Sequence, residues 1–154
     1  MEQLWLVCDV SGSMAESGKG FVARGVVRLV EQYFRFGYAE QVSIRLATWS
    51  TEIKVCKWHV DDEVPEELRD CNGSSSSEAL LSFIEHQPKS RFLVMTDAGW
   101  SSECENSMRR GLKRNATDNL RFVLIGDGGN SRFRGLTVAG VEEIIGLLDG
   151  WFTE

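Results

Sequence analysis

The chain has 154 residues, a length that fits one folded domain, and 42% of them are hydrophobic, which argues against intrinsic disorder. A formal net charge of −6 argues against binding to nucleic acids or anionic membranes, since both favour basic surfaces. No apolar run reaches membrane-spanning length, and the N-terminus lacks the pattern of a secretory signal. We therefore predict a single domain over residues 1–154, located in the cytoplasm, with no nucleic-acid or membrane partner.

The first predicted element is a strand that ends in an oxygen-rich loop. Residues 4–8 are continuously apolar, as in a central strand that is covered on both faces. Asp9, Ser11 and Ser13 follow this strand directly, and Gly12 permits a tight turn between the two serines. Because a parallel α/β sheet binds its ligands at the carboxyl ends of its strands, this loop is the first candidate site.

A helix and a pair of strands come next. Apolar residues at helical spacing between Val22 and Phe34 predict the helix. The alternating segment 42–49 predicts a second strand, and the short turn that follows it leads only to an antiparallel neighbour. We expect that neighbour, residues 52–58, to be an edge strand, because its charged side chains protect unpaired backbone from other chains.

A second polar loop, residues 71–78, precedes the next helix. Ser75 and Glu78 have the spacing of a capping box, which predicts that the helix begins there. Residues 92–96 then form another buried strand, and Asp97 lies just beyond its carboxyl end. Asp97 therefore has the same position as Asp9, directly after a buried strand.

The last third of the chain continues the alternation of helices and strands. Ser102 and Glu105 predict a capping box for one more helix. A buried strand at 120–125, a short strand at 136–138 and a final helix over 141–148 follow. The chain therefore predicts an α/β fold, with a mostly parallel sheet of about six strands, one antiparallel edge strand and helices on both faces.

Three loops now carry oxygen-bearing side chains at one edge of the predicted sheet. They provide Asp9, Ser11 and Ser13, then Ser74 or a neighbouring serine, and finally Asp97. Hydroxyl and carboxylate oxygens in a roughly octahedral arrangement suit Mg²⁺ or Mn²⁺ rather than zinc. The pattern therefore predicts a site for a hard divalent cation.

These motifs resemble the metal-ion-dependent adhesion site (MIDAS) of the von Willebrand factor A (VWA) family, whose pattern is Asp-x-Ser-x-Ser, then Thr, then Asp. Residues 9–13, Asp-Val-Ser-Gly-Ser, match the first part, and residues 96–99, Thr-Asp-Ala-Gly, match the last. Ser74 stands in the place of the threonine and keeps its hydroxyl without the methyl group, with Ser75 or Ser76 as alternatives. The resemblance covers essentially the whole chain and implies a three-layer, Rossmann-like VWA fold of the stand-alone intracellular bacterial type.

The resemblance also implies a role for each motif residue. The metal site would consist of Asp9, Ser11, Ser13, Ser74 and Asp97. In the family, the serines of the first motif bind Mg²⁺ or Mn²⁺ directly, the acids often act through water or hydrogen bonds, and a partner protein's carboxylate fills an open position. The implied function is a non-enzymatic scaffold or regulatory subunit, whose partner is an AAA+ ATPase, or a kinase or phosphatase, in a stress-response system.

Two other functions and one structural question stay open from the sequence. A haloacid-dehalogenase-like phosphatase or phosphotransferase would use Asp9 as its nucleophile, although Ser11 replaces the second acid of that chemistry. A VWA domain that binds its partner without metal is the other alternative. Trp100, beside Asp97, is either an aromatic anchor for a partner or a structural side chain.

Overall fold

The computed structural model describes residues 2–37, 42–113, 118–126 and 136–152. In chain order, its strands and helices are β1 (Glu2–Asp9), α1 (Lys19–Gly37), β2 (Val42–Trp49), β3 (Ile53–Val55), α2 (Ser77–Glu85), β4 (Arg91–Thr96), α3 (Ser102–Lys113), β5 (Leu120–Leu124), β6 (Val138–Gly140) and α4 (Ile144–Leu148). Short 3-10 helices cover Gly12–Ala15, Glu66–Arg69 and Val141–Glu143. None of the helices in these ranges is both long enough and apolar enough to cross a lipid bilayer.

The strands form one sheet in the order β3-β2-β1-β4-β5-β6. Neighbouring strands are parallel except for β2 and β3, which are antiparallel and place β3 at an edge. This arrangement confirms the predicted mostly parallel sheet of six strands with one antiparallel edge strand. Because β1, β4 and β5 run the same way, their carboxyl ends lie along one edge of the sheet.

Strand β1 lies in the centre of the sheet, and its apolar run follows from that position. Leu6 pairs with Leu46 of β2 on one side and with Leu93 of β4 on the other. Successive side chains of a strand point to opposite faces. Leu6 therefore belongs to the core on one face of the sheet, whereas Trp5 and Val7 belong to the core on the other face.

Helices cover both faces of the sheet, as the Rossmann-like prediction requires. On one face, Val30 and Phe34 of α1 and Leu147 of α4 pack in the first core. On the other face, Leu80 of α2 and Met108 of α3 pack in the second core. Burial of one such side chain contributes about 1.5–3 kcal/mol, so the two cores stabilise the sheet beneath the loops at its edge.

The start of α2 differs from the prediction. Its N-cap is Ser76, whose hydroxyl accepts a hydrogen bond from the backbone N–H of Ala79 at 3.2 Å. The predicted capping residue, Ser75, instead directs its hydroxyl to Asp9. The predicted capping box of Ser75 and Glu78 is therefore wrong. Ser75 contacts Asp9 at the end of β1, and the next residue, Ser76, caps the helix.

Three further boundaries were predicted wrongly. The residue that caps α3 is Ser101 rather than Ser102, since its hydroxyl accepts the backbone N–H of Cys104 at 3.1 Å. The edge strand is shorter than residues 52–58 because β3 pairs only with the last three residues of β2. The last strand begins at Val138, two residues after the predicted start, because the ladder with β5 sets its register.

Candidate metal centre

Asp9 is a buried carboxylate at the carboxyl end of β1, only 1% exposed. Its Oδ2 accepts a hydrogen bond from the Thr96 hydroxyl at 2.6 Å, and its Oδ1 accepts the backbone N–H of Ser11 at 2.8 Å. Burial raises the pKa of Asp9 above its ordinary value, although these hydrogen bonds act in the opposite direction. Within the described part of the chain, no cationic side chain forms an ion pair with Asp9.

Ser11 and Ser13 lie on the turn that follows β1. Their hydroxyl oxygens are 3.4 Å apart, and Ser11 is only 4% exposed. Adjacent ligands of an octahedral Mg²⁺ ion, bound at 2.0–2.1 Å, are about 3 Å apart, which is close to this spacing. Ser13 donates its proton to Asp97 Oδ1 at 3.1 Å, so its oxygen lone pairs stay available to a cation.

Asp97 follows β4 and has hydrogen-bond donors on both carboxylate oxygens. Its Oδ1 accepts the Ser13 hydroxyl and also the backbone N–H of Gly99 at 2.9 Å. Its Oδ2 accepts a hydrogen bond from the ammonium of Lys19, also at 2.9 Å. Burial raises the pKa of Asp97, but the donors from Lys19, Gly99 and Ser13 outweigh it, so the pKa lies below its ordinary value. Asp97 is therefore ionised at neutral pH.

The turn after Asp97 leaves a space that a side chain would fill. Ala98 adopts a left-handed backbone conformation with φ of 57°, which turns the chain sharply after β4. A Cβ at Gly99 would lie 2.8 Å from the Ser13 hydroxyl oxygen and 3.1 Å from Asp97 Oδ1. Glycine at this position thus permits the two loops to bring Ser13 and Asp97 together.

The serine-rich loop before α2 is attached to the loop after β1 by two backbone hydrogen bonds. Asn72 donates its N–H to the carbonyl of Val10 at 2.8 Å, and Gly12 donates its N–H to the carbonyl of Gly73 at 2.9 Å. Gly73 has φ of 77°, a conformation that glycine adopts without strain. These hydrogen bonds set the position of the following serines relative to Asp9 and the first loop.

The serine that reaches the site is Ser75. Its hydroxyl lies 3.4 and 3.5 Å from the two carboxylate oxygens of Asp9, at the outer limit of hydrogen bonding. The side chain of Ser74, the residue favoured from the sequence, is exposed. The structure thus brings together four of the five predicted residues, Asp9, Ser11, Ser13 and Asp97, and adds Ser75, the alternative serine. Metal binding by Ser74 stays a prediction.

The donor set fits a hard divalent cation. The side chains that converge carry two carboxylates and three hydroxyls, from Asp9, Asp97, Ser11, Ser13 and Ser75. Oxygen donors of this kind suit Mg²⁺ or Mn²⁺, whereas zinc favours sulfur and imidazole nitrogen. No group of three or more His, Cys, Asp and Glu side chains able to hold a metal occurs among the described residues. Any metal bound here therefore depends on the hydroxyl groups.

Comparison with solved structures identifies the fold that these strands and helices form. Manganese-loaded TRAP protein of Plasmodium vivax aligns with a TM-score of 0.63 and 17% sequence identity, over 96% of this chain and 71% of that chain. A von Willebrand factor type A protein from Catenulispora acidiphila aligns with a TM-score of 0.56 and 13% identity, over 91% of this chain and 38% of that chain. The chain has the VWA fold.

A third neighbour carries an occupied metal site in this fold. Proximal thread matrix protein 1 of the mussel byssus, with zinc in its MIDAS motif, aligns with a TM-score of 0.57 and 10% identity, over 94% of this chain and 44% of that chain. No protein-family model and no curated protein matches the sequence. The likeness is therefore one of fold, and metal binding by this chain is taken up as a proposal below.

Two side chains at the edge of the VWA fold have roles that the sequence reasoning missed. Thr96 is fully buried, and its hydroxyl donates to Asp9 while it accepts the backbone N–H of Ala98 at 3.1 Å. It stands next to Asp97 in the matched motif, which was the signal for it. Lys19 lies before the helix that was predicted from Val22, so the sequence carried no signal for it. In the structure it is the first residue of α1, where the helix dipole disfavours a cation.

Trp100 belongs to the core of the VWA fold. It is 4% exposed and makes edge-to-face contacts with Trp49 and Phe122, with ring centroids 6.2 and 5.9 Å away. Such contacts stabilise a core beyond the area that they bury. The structural alternative for Trp100 is therefore the one the structure supports, and the aromatic-anchor alternative is wrong.

Proposed function

We propose that this chain is a non-enzymatic protein-interaction module that binds a carboxylate of a partner protein through Mg²⁺ or Mn²⁺. The observation that carries the proposal is the convergence of two carboxylates and three hydroxyls at the carboxyl edge of the sheet. The VWA fold of the chain supports it, since two solved structures of this fold contain manganese or zinc.

The residues would divide the work of holding the cation. The hydroxyls of Ser11 and Ser13 are its direct ligands, together with one serine of the loop before α2, either Ser75 or Ser74. Asp9 and Asp97 supply negative charge from behind the hydroxyls, where their own hydrogen bonds hold them in place. The bound cation supplies an open coordination position for a carboxylate oxygen of the partner.

The charge balance of the site favours an acidic partner. In the metal-bound state, Asp9 and Asp97 would carry two negative charges, and Lys19 would neutralise one of them through its ion pair with Asp97. A divalent cation at the site would therefore leave one positive charge in excess. A carboxylate of the partner would balance it in a charge-assisted contact whose direction is set by the open position.

The competing phosphatase has weaker support. Its nucleophile, Asp9, is 1% exposed, and both carboxylate oxygens accept hydrogen bonds from within the protein. The general acid that such chemistry needs is replaced by Ser11. Turnover of an aryl phosphate that requires Mg²⁺ and is lost in Asp9→Asn would favour the enzyme over the interaction module.

The identity of the partner and the setting complete the proposal. An AAA+ ATPase, or a kinase or phosphatase, of a bacterial stress-response system is the partner that the family resemblance favours, and the cytoplasm is the location. A partner of this kind would present an exposed Asp or Glu to the carboxyl edge of the sheet.

The test is a pull-down from a lysate with three immobilised proteins, each with Mg²⁺ and with chelator. These are the native chain, Ser11→Ala/Ser13→Ala and, as a control, Ser82→Ala on the exposed face of α2. We expect one partner to be recovered by the native chain and the control, and only with Mg²⁺. Recovery of the same partner by all three, with or without chelator, would contradict the proposal.

A further inference from the structure

We propose that Lys19 is the internal counter-cation of this site, and that it lowers the affinity for the divalent cation by competing with it for Asp97. The inference rests on the proposed metal-binding function and concerns how that site is regulated. Lys19 would act on the metal through its ion pair with Asp97, whereas the serines would be direct ligands.

The contacts of Lys19 are those of a built-in cation. Its ammonium donates to Asp97 Oδ2 at 2.9 Å and to the backbone carbonyl of Ser13 at 3.5 Å. The side chain of Lys19 is 22% exposed and that of Asp97 is 4% exposed, so the pair is shielded from water more than a surface ion pair. A Cβ at Gly126 would lie 3.5 Å from Lys19 Cε, which places the lysine stem against the loop after β5.

The backbone brings Lys19 to the site against local preference. Ser17 and Gly18 both adopt left-handed conformations, with φ of 54° and 71°, and turn the chain back so that α1 begins beside the first loop. Left-handed backbone is uncommon for a serine. Lys19 is then the first residue of α1, where the helix dipole disfavours a cation. Its ion pair with Asp97 accounts for a lysine in this place.

The ion pair has a direct consequence for a second cation. Asp97 has both oxygens engaged, one with Lys19 and the other with Ser13 and Gly99. A divalent cation beside Ser13 therefore meets an aspartate that is already neutralised, and it is also repelled by the ammonium. Removal of this positive charge should strengthen metal binding, while its presence keeps the loaded site positive toward the partner's carboxylate.

The experiment is a titration of the full chain with Mg²⁺ and with Mn²⁺ by isothermal calorimetry. Lys19→Met removes the charge, Lys19→Arg keeps it, and Lys89→Met removes the same charge from an exposed residue at the amino end of β4, away from the site. We expect Lys19→Met to bind the metal at least about tenfold more tightly than the native chain. Lys19→Arg and Lys89→Met should stay within about twofold of it.

The outcomes separate this inference from the proposed function. Metal binding by the native chain that is no tighter in Lys19→Met, or is tightened equally by Lys89→Met, would overturn the competition and leave the metal site standing. Binding by Lys19→Met alone would support the competition and contradict metal binding by the native chain. Absence of binding in all four proteins would overturn both. Thermal unfolding in chelator checks that each variant is folded.

Discussion

The hydroxyl of Thr96 lies 2.6 Å from Oδ2 of Asp9 and joins the carboxyl ends of β4 and β1. Both residues are buried, at 0% and 1% exposure, so this bond holds the carboxylate in place without help from solvent. The same hydroxyl accepts the N–H of Ala98 and so also fixes the turn after Asp97. One threonine therefore orients both acids of the candidate metal centre.

Thr96→Val should loosen this arrangement at nearly constant side-chain volume. A buried carboxylate that loses a hydrogen bond destabilises the fold by about 1–3 kcal/mol, and the metal affinity should fall with it. Chemical denaturation and metal titration measure the two effects. Thr96→Ser keeps the hydroxyl and should retain most of both.

A matched control for this threonine lies in β2, on the other side of β1 from β4. Thr48 of β2 is 4% exposed, and its hydroxyl has no hydrogen bond with any described residue. Thr48→Val should therefore cost less stability than Thr96→Val and leave metal affinity unchanged. Equal losses in the two valine variants would contradict a specific role for Thr96.

Gly99→Ala should impair the site and spare the fold. The added Cβ would lie 2.8 Å from the Ser13 hydroxyl oxygen, so Ser13 and Asp97 would have to move apart. We expect metal affinity to fall about tenfold or more, because the ligand spacing is changed, whereas the melting temperature in chelator changes little. Gly25→Ala, on the exposed side of α1 with no atom within 4 Å of the new Cβ, is the control. Unchanged metal affinity in Gly99→Ala would show that the space is not needed.

Alanine substitutions at three neighbouring serines should have different effects on metal binding and stability. Ser75→Ala should weaken metal binding, since its hydroxyl is the one that reaches Asp9. Ser76→Ala should cost about 1 kcal/mol of stability through the lost cap of α2 and leave metal binding unchanged. Ser74→Ala should change neither quantity. Weaker metal binding in Ser74→Ala than in Ser75→Ala would restore the residue that the sequence favoured.

The thiol of Cys56 should be unreactive in the folded protein. Burial, together with a hydrogen bond and the negative charge of Glu67, raises its pKa from 9.0 to about 12. Since only the thiolate reacts, alkylation by iodoacetamide should be slow at pH 8 and should rise about tenfold per pH unit toward pH 11. Peptide mapping by mass spectrometry measures this rate. Labelling of Cys56 at pH 8 as fast as in the denatured chain would contradict the raised pKa.

The raised pKa of Cys56 also has a consequence for stability. The unfolded thiol ionises near pH 9, whereas the folded thiol holds its proton to about pH 12. Between these values the folded state binds more protons than the unfolded state, so stability falls as the pH rises. Cys56→Ser should lessen this alkaline loss, as measured by urea denaturation at pH 8, 9 and 10.

Much of the fold follows from patterns in the sequence. The apolar run of β1 predicts a central strand, because only a strand covered on both faces has apolar residues at every position. Asp9 and Asp97 each follow such a strand, and parallel strands bring their carboxyl ends to the same edge. The helices on both faces follow from the alternation of strands and helices.

Single-residue choices within the loops do not follow from the sequence. Ser74, Ser75 and Ser76 are chemically identical, and only the backbone bonds of Asn72 and Gly73 to the first loop decide which one faces Asp9. The caps of α2 and α3 fail for the same reason, since adjacent serines differ only in the direction that the folded loop gives them. Lys19 was missed because its partner lies 78 residues away in sequence.

The most direct test of the central claim is a Mn²⁺ titration of the native chain beside Ser11→Ala/Ser13→Ala, followed by calorimetry and by thermal unfolding. A native-state ligand must stabilise the fold by mass action, so we expect saturable binding of one ion and a melting temperature that rises with Mn²⁺ concentration. The double variant should fold in chelator and show neither effect. A native chain whose melting temperature is unchanged and whose titration shows no saturable heat at millimolar Mn²⁺ or Mg²⁺ would contradict the metal-dependent function.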